Sequence, residues 1–460
     1  TFRQFYYVFH RQGLIDNWLG DAPRAKMLLE LSKSRQREVG DKLYSAYSEY
    51  RMQLIRVLHH EQGHTVDDAV EMAQRLFDRM IFIACCEDRG LLKKNTLRRA
   101  HDELPSFSDA TNPRWENFKN LFKFIDQGNT RYDIPAYNGG LFQTHAVDDL
   151  DLPDDPWTGF FKTIGGYDFA DEVNLDVLGH LFEQSITELE KLKETGVFGD
   201  AEKAERYAQM PQSAKRKQLG VYYTPAELTS RIVQYTVEEL IAQRFADLAV
   251  DFGVAREEAD RGAVPEENAG DYWNGCLDIL RRLKIVDPAC GSGAFLFQAY
   301  NVLEQRYHEV IGHLEGSGSR QSSEVQALLA QIPQFILQDN LYGVDLSPEA
   351  VEITQLALWI RSATRGHSLA TLSKNIVHGN SLVHDGEVHP AGFDWRKRFA
   401  EVFDREENGF DCVIGNPPWE RIKLQNREFF SLSAPEILQN TNAAKQRQAI
   451  AELETTNPEL

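Results

Sequence analysis

A short apolar run near the end of the sequence, Phe410-Asp411-Cys412-Val413-Ile414, leads into Gly415-Asn416-Pro417-Pro418-Trp419-Glu420. These residue types suit the activation of an aromatic amine. Such an amine is a poor nucleophile because its lone pair is delocalised into the ring. Two acceptors aimed at its hydrogens pull the nitrogen toward tetrahedral geometry and localise that pair. The side-chain oxygen of Asn416 and the backbone carbonyl of Pro417 can be those acceptors. Consecutive prolines, Pro417 and Pro418, restrict the turn and hold the carbonyl in place. Trp419 offers a flat face on which a base taken out of a duplex can stack. Read alone, the same four residues also fit an ordinary Pro-Pro turn beside a buried tryptophan.

A second group lies upstream, in Ile285-Val286-Asp287-Pro288-Ala289-Cys290-Gly291-Ser292-Gly293-Ala294-Phe295-Leu296. An apolar strand runs into an acid, then a small-residue turn, then a helix. Gly291 and Gly293 let the backbone approach a ligand where a β-carbon would collide. The pattern differs from GxGxxG, which puts phosphate on a helix N-terminus. It suits a ligand with an amino-acid moiety and an uncharged ribose, with Asp287 orienting the amino group. A second acid, Asp345 in Tyr342-Gly343-Val344-Asp345-Leu346, ends the next apolar run and suits ribose hydroxyls. It lies 52 residues beyond Gly293, against about 20 in dinucleotide folds. The Gly316–Ser319 loop and an extra helix account for the excess. Asn380, in Val377-His378-Gly379-Asn380, can read an adenine edge. With Ala289, Phe295 and Leu346, these residues form a candidate cofactor set for S-adenosylmethionine. A sulfonium is already a good leaving group, so no metal is expected.

These residues require a particular scaffold. Short strands at Lys284–Asp287, Asn340–Asp345, Asn375–His378 and Phe410–Ile414 alternate with helices from Gly293 to about Val310 and from Pro348 to Arg361. Such alternation predicts an α/β fold with a parallel sheet and helices on both faces. A helix from Ala226 to Phe245 precedes it, and the acidic, Gly/Ala-rich stretch 251–273 reads as a surface insertion. Residues 1–205 read as mainly helical. Thr65 and Asp68 form a capping-box-like start for a helix reaching Cys86, with Gly90 as its stop. Lys42–Leu58 and about Asn174–Lys193 read as further helices, and 148–157 as an acidic loop.

The chain has 460 residues and a formal net charge of −20, which argues against a surface that is basic throughout. A local basic cleft remains compatible with phosphate contacts. No run of 18 apolar residues exists, so no membrane partner is expected. The five cysteines form no CxxC pair, which fits a reducing cytoplasm. The sequence begins at Thr1, so it reads as a fragment or a processed chain.

The two motifs, in this order, resemble the gamma-order amino-group DNA methyltransferases, with the match running over about 215–420. An extra motif ahead of both, Gly220-Val221-Tyr222-Tyr223-Thr224-Pro225, is similar to one that closes over the methionine end of the cofactor in that family. The resemblance implies cofactor roles for Tyr223 and Thr224, and an adenine target for Asn-Pro-Pro followed by an aromatic. It implies a Rossmann-like S-adenosylmethionine-dependent domain with a mixed, mostly parallel seven-stranded sheet, preceded by a helical domain. Trp419–Gln425, Glu428–Phe430, Cys86–Leu91, Asn138–Phe142 and Leu178–Glu183 resemble the large type IIG restriction–modification methylases and those of the BREX and DISARM phage-defence systems. The expected domains are then 1–205, helical; 206–430, catalytic; and 431–460, the start of a connector to a missing target-recognition region. The expected partners are double-stranded DNA and other restriction or phage-defence subunits. No PD-(D/E)xK nuclease is evident.

Three rival readings remain. His60-Glu61-Gln62-Gly63-His64 spells the HExxH of zinc proteases, but Gly63 and the adjacent cap at Thr65 favour a helix-to-helix junction. A non-catalytic subunit that binds cofactor and DNA would keep the motifs without transfer. RNA or a protein glutamine could also replace DNA, although the helical region and the segment after Trp419 favour DNA. Lys215-Arg216-Lys217 reads as a solvated basic turn before it reads as a phosphate contact.

Overall fold

The computed structural model describes residues 24–104, 109–138, 140–169, 178, 184, 185, 188, 224, 226–265, 267–386 and 389–417. All lie in the first of two compact units, Thr1–Pro417; the second is Pro418–Leu460.

The first part is helical. Helix α1 covers Arg24–Arg56, and Leu43, Tyr47, Arg51 and Leu54 form its buried stripe. It starts 18 residues before the expected Lys42. Its first half is largely exposed, so no apolar periodicity marks it. A wide π-type turn, Val57–Glu61, follows. Helix α2 then covers Val66–Asp88, and the Thr65 hydroxyl accepts from the Asp68 amide at 3.1 Å. Gly90 takes a left-handed conformation just beyond its end.

From Leu76 to Cys86 every residue of α2 is buried, because α2 is packed on several sides. Its neighbours include α1, α3 (Thr96–Asp102) and α5 (Phe160–Ile164), while α4 (Pro113–Gln127) packs on α3. Fully buried Arg79 donates to the carbonyls of Leu141 (2.9 Å) and Gln143 (2.8 Å) and pairs with Asp148 (2.5 Å). The Asn138–Phe142 motif is thereby tied to α2, and the Phe142 ring meets Phe82 edge-on. Of the expected helix 174–193, only residues 178, 184, 185 and 188 fall within the described residues.

The second part begins with α6 (Ala226–Val233), a π-type turn (Gln234–Glu238) and α7 (Glu239–Asp251). Two helices follow, α8 (Arg256–Ala259) and α9 (Ala269–Arg282). The stretch 251–273 is therefore not all insertion: Tyr272 and Trp273 are buried on α9, and Trp273 stacks on His313 at 4.0 Å. Two aromatic side chains at the end of an acidic, glycine-rich run outweighed its composition.

The alternating region then runs β1 (Ile285–Asp287), α10 (Ala294–Gly316), α11 (Ser322–Gln334), β2 (Leu341–Asp345), α12 (Pro348–Ser362) and β3 (Ile376–His378). It closes with α13 (Trp395–Arg398), α14 (Ala400–Phe403) and β4 (Cys412–Val413). The sheet order is β3-β2-β1-β4 and every pair is parallel. The described residues thus form four strands, not the seven of the resemblance, and the residues after Pro417 lie outside the description.

The two faces of the sheet are covered differently. Ile285, Leu341 and Ile376 join the large core shared with the helices, where α10 packs on β1 and β2, and α12 on β2 and β3. Val286, Tyr342, Val344 and Val377 face a separate cluster of Phe393, Phe399 and Val402, backed by Trp395, Phe403 and Phe410. The second face is therefore closed by an aromatic layer on two one-turn helices, where long helices were expected.

The helical part packs directly on the sheet part. Helix α2 lies against α12, Arg75 pairs with Glu352 at 2.8 Å, and Arg89 donates to the Ile360 carbonyl. The Leu369 amide donates to the Tyr137 carbonyl at 2.6 Å. One buried apolar cluster runs through both.

Candidate active site

Parallel pairing puts the carboxyl ends of all four strands on one edge of the sheet. The strand order reverses at β1, which has β2 on one side and β4 on the other. Ligands of open α/β sheets bind at such a switch point. Asp287 ends β1, Asp345 ends β2, Asn380 follows β3, and Asn416 follows β4, so the sheet gathers the two halves read from the sequence.

Asp287 is 1% exposed. Its Oδ1 accepts from the Ala289 amide at 3.0 Å, while its buried Oδ2 has no partner. Burial pushes its carboxyl up to about 7; the Ala289 hydrogen bond opposes the shift and the charge of Asp345 adds to it. Asp345 bridges two loops, accepting from the Gly291 amide (2.8 Å) and the Ser347 amide (2.9 Å). Burial raises it too, against those same hydrogen bonds.

The turn between β1 and α10 is fixed from two directions. The Cys290 amide donates to the Val344 carbonyl at 3.0 Å, and the Thr354 hydroxyl on α12 donates to the Gly291 carbonyl at 2.8 Å. Gly291 has φ +53° and open space where a β-carbon would stand; Gly293 has φ +83°, and a β-carbon there would fall 2.9 Å from Thr354 Cγ2. The first glycine leaves room for a ligand and the second permits packing. The open space at Gly291 and the unpartnered Asp287 Oδ2 fit a cofactor bearing a cationic amine.

The other expected cofactor residues divide. Ala289 is half-buried at the turn. Leu346 is 54% exposed on the same edge. Phe295, in the first turn of α10, has its ring 4% exposed within the core. Asn380 turns its Oδ1 to the amides of Leu382 (3.1 Å) and Val383 (3.2 Å). Its amide nitrogen is the end left to face a base.

At the catalytic half, the Ile414 amide donates to the Val286 carbonyl at 2.9 Å. Gly415 then lies so close to Asp287 that a β-carbon would fall 2.7 Å from Asp287 Oδ1. Asn416 donates from Nδ2 to the Thr224 hydroxyl at 3.1 Å, and Pro417 is exposed. Tyr223, Pro418 and Trp419 lie outside the described residues, as does the basic run 215–217.

Sequence reasoning missed the groups that hold this edge. Thr354 sits within the buried face of α12 and carries no local signal. Asp411 is 2% exposed at its side chain, accepts from the Lys284 amide at 2.7 Å, and pairs with Arg244 and with Arg405 (2.7 Å for the latter). Its signal was present: a charged residue at the head of an apolar run.

The HExxH stretch is broken. His60 lies in the π-type turn, Gly63 has φ +77°, and Thr65 caps the next helix. The two histidines do not share a helical face. Among the described residues, no group of three His, Cys, Asp or Glu side chains is placed to hold a metal, and no helix is long and apolar enough to cross a membrane.

The fold and edge define an α/β protein with a ligand crevice at the topological switch, and its relatives share one chemistry. Residues 339–451 match the family described as Eco57I restriction-modification methylase. It is 28% identical over 362 residues to a type II restriction enzyme and methyltransferase of Methanocaldococcus jannaschii, covering 69% of this chain and 28% of that protein. It is 26% identical over 190 residues to the adenine-specific methyltransferase BrxX of Escherichia coli O9:H4, covering 40% of this chain and 13% of that one. The type IIL restriction-modification enzyme MmeI, solved in complex with DNA, shares the fold with a TM-score of 0.51 and 18% identity, over 88% of this chain and 46% of that one. The chain thus spans less than a third of the length of these two curated relatives. The resemblance to restriction–modification and adenine-specific methylases is borne out.

Gly293→Ala is expected to cost about 1–3 kcal/mol through its left-handed backbone and its clash with Thr354. Denaturant unfolding of the single variant and of Gly293→Ala with Thr354→Ser checks this. The double variant lacks Cγ2 and should recover part of the loss; equal stability of the two would contradict the packing role.

Proposed function

We propose that this chain is the catalytic part of a site-specific DNA adenine methyltransferase. It transfers a methyl group from S-adenosylmethionine to the exocyclic N6 of a flipped-out adenine, in bacterial restriction–modification or phage defence. The observation that carries this reading is the approach of Asp287 and Gly415-Asn416 on adjacent parallel strands. The methylase relatives support it, and the fold shared with a DNA-bound enzyme supports double-stranded DNA as the substrate.

The cofactor supplies an electrophilic methyl group on a sulfonium centre. The residues do the rest. Asp287 binds the cofactor's ammonium through its unpartnered Oδ2, while Asp345 orients the ribose through the lone pairs left by Gly291 and Ser347. Ala289, Gly291 and Gly293 form the floor, with Tyr223 and Thr224 over the methionine end. Leu346 and Asn380 border the cofactor's base. Asn416 Oδ1 and the Pro417 carbonyl accept the two amine hydrogens and localise the nitrogen lone pair. Pro418 stiffens the turn and Trp419 stacks the flipped base. In this reading the catalytic domain spans 206–430 after a helical domain over 1–205. Residues from 431 lead toward a target-recognition region. The enzyme acts in the cytoplasm, with other defence subunits as partners.

Asn416→Ala in the full-length natural protein is expected to slow transfer of labelled methyl to DNA by about 100-fold or more, with cofactor affinity kept. Undiminished transfer would sink the amine-activation role. Binding without transfer by the unaltered protein would favour the non-catalytic subunit instead.

Asp287 supplies a pH test. In the free protein its carboxyl is pushed up to about 7, and a bound ammonium favours the ionised form. Binding therefore releases a proton below that pH, and affinity weakens as pH falls. Calorimetric titration between pH 8 and 6 should show that loss, approaching about tenfold per unit well below 7. Asp287→Asn should bind weakly and with the carboxyl's contribution to the pH dependence gone; an unchanged dependence contradicts the assignment.

A further inference from the structure

The helical rod 226–251, with Thr224 ahead of it, does more than lead into the fold. Thr229, Val233, Val237 and Ile241, four residues apart, are 0–1% exposed. That stripe includes the positions through which the rod packs on α10. A different side of the rod meets β4 and its flanks at three heights. Arg244 pairs with Asp411 ahead of the strand. Thr236, whose hydroxyl donates to the Ile232 carbonyl at 2.7 Å, stands beside the Cys412 thiol on it and opposes the upward shift that burial gives that thiol. Thr224 accepts from Asn416 Nδ2 just beyond it, at 3.1 Å. The rod therefore runs antiparallel to β4 and is fastened along it.

The last of these contacts bears on the reaction. The two ends of an asparagine amide are not equivalent: the oxygen only accepts and the nitrogen only donates. Amine activation needs the oxygen toward the base. If the amide were turned over, its N–H groups would face the amine hydrogens and the activation would be lost. With Nδ2 engaged by Thr224, the carbonyl end is directed away from the rod. We infer that Thr224 is a positioning residue that holds the Asn416 side chain in place, and that the helical rod 226–251 splints this pair to the catalytic strand. This rests on the function proposed above and assigns Thr224 a task beyond cofactor contact.

The two tasks separate kinetically. The full-length natural protein is tested with labelled S-adenosylmethionine and amplified genomic DNA free of methyl groups. Single-turnover transfer at saturating cofactor and the cofactor dissociation constant are measured for Thr224→Val, Thr224→Ser and their combinations with Asn416→Ala. Thr224→Val should slow transfer at saturating cofactor by about 10- to 100-fold, beyond any change in the dissociation constant, and Thr224→Ser should restore the rate. On the Asn416→Ala background, Thr224→Val should add no further loss, because the group it holds is gone. Weaker cofactor binding with an unchanged saturated rate overturns the inference and leaves Thr224 a cofactor contact. An additive loss in the double variant overturns it as well. Full transfer by Asn416→Ala alone is a different result: it removes the amine-activation reading itself, and the inference with it.

Discussion

The parallel pairing of β4 with β1 is the constraint on which the rest of the structure depends. It is short, with Ile285 opposite Cys412 and Val286 opposite Val413. Its consequence is directional: because both strands run the same way, Asp287 and Gly415 leave the sheet side by side. An antiparallel β4 would have carried Asn416 to the opposite edge. The absence of a side chain at Gly415 lets the turn pass against the Asp287 carboxylate. At the other end of β4, Asp411 fixes the strand with two arginines and the Lys284 amide. A buried carboxylate held by two cationic partners and an amide tolerates little displacement, since moving it breaks several charge-assisted bonds at once.

The site also depends on layers that contribute no chemistry. Helix α12 holds the glycine turn through Thr354 and follows Asp345 through the Ser347 cap. Helix α2 supports α12 from behind. The helical part is therefore continuous with the helix that backs the candidate site. Within that site, burial holds Asp287 up to about 7 against an ordinary 3.8. Keeping it ionised at neutral pH or above costs on the order of 4 kcal/mol. That cost is a local instability, and one that a cationic group placed at the unpartnered Oδ2 would relieve.

Much of this was legible in the residues, and the reasons differ by element. The four strands appear where apolar runs end in Asp287, Asp345, His378 and Ile414; β1 and β2 are buried almost throughout, and a buried parallel strand cannot hide its composition. Thr65 and Gly90 marked the ends of α2 because caps are local chemistry. The first half of α1 was invisible since its exposed residues carry no stripe. The aromatic layer over the second face was missed because Phe393, Trp395, Phe399 and Phe403 sit on one-turn elements with no period to detect. Thr354 and Arg244 act across long sequence separations, which no local pattern encodes.

The most direct test of the central claim is nucleoside analysis by mass spectrometry. Unmethylated DNA is incubated with the full-length natural protein and S-adenosylmethionine, then digested. The account predicts N6-methyldeoxyadenosine at a defined set of sites, absent when the cofactor is omitted. Methylcytosine in its place, or bound cofactor with no methylated nucleoside at all, would contradict it.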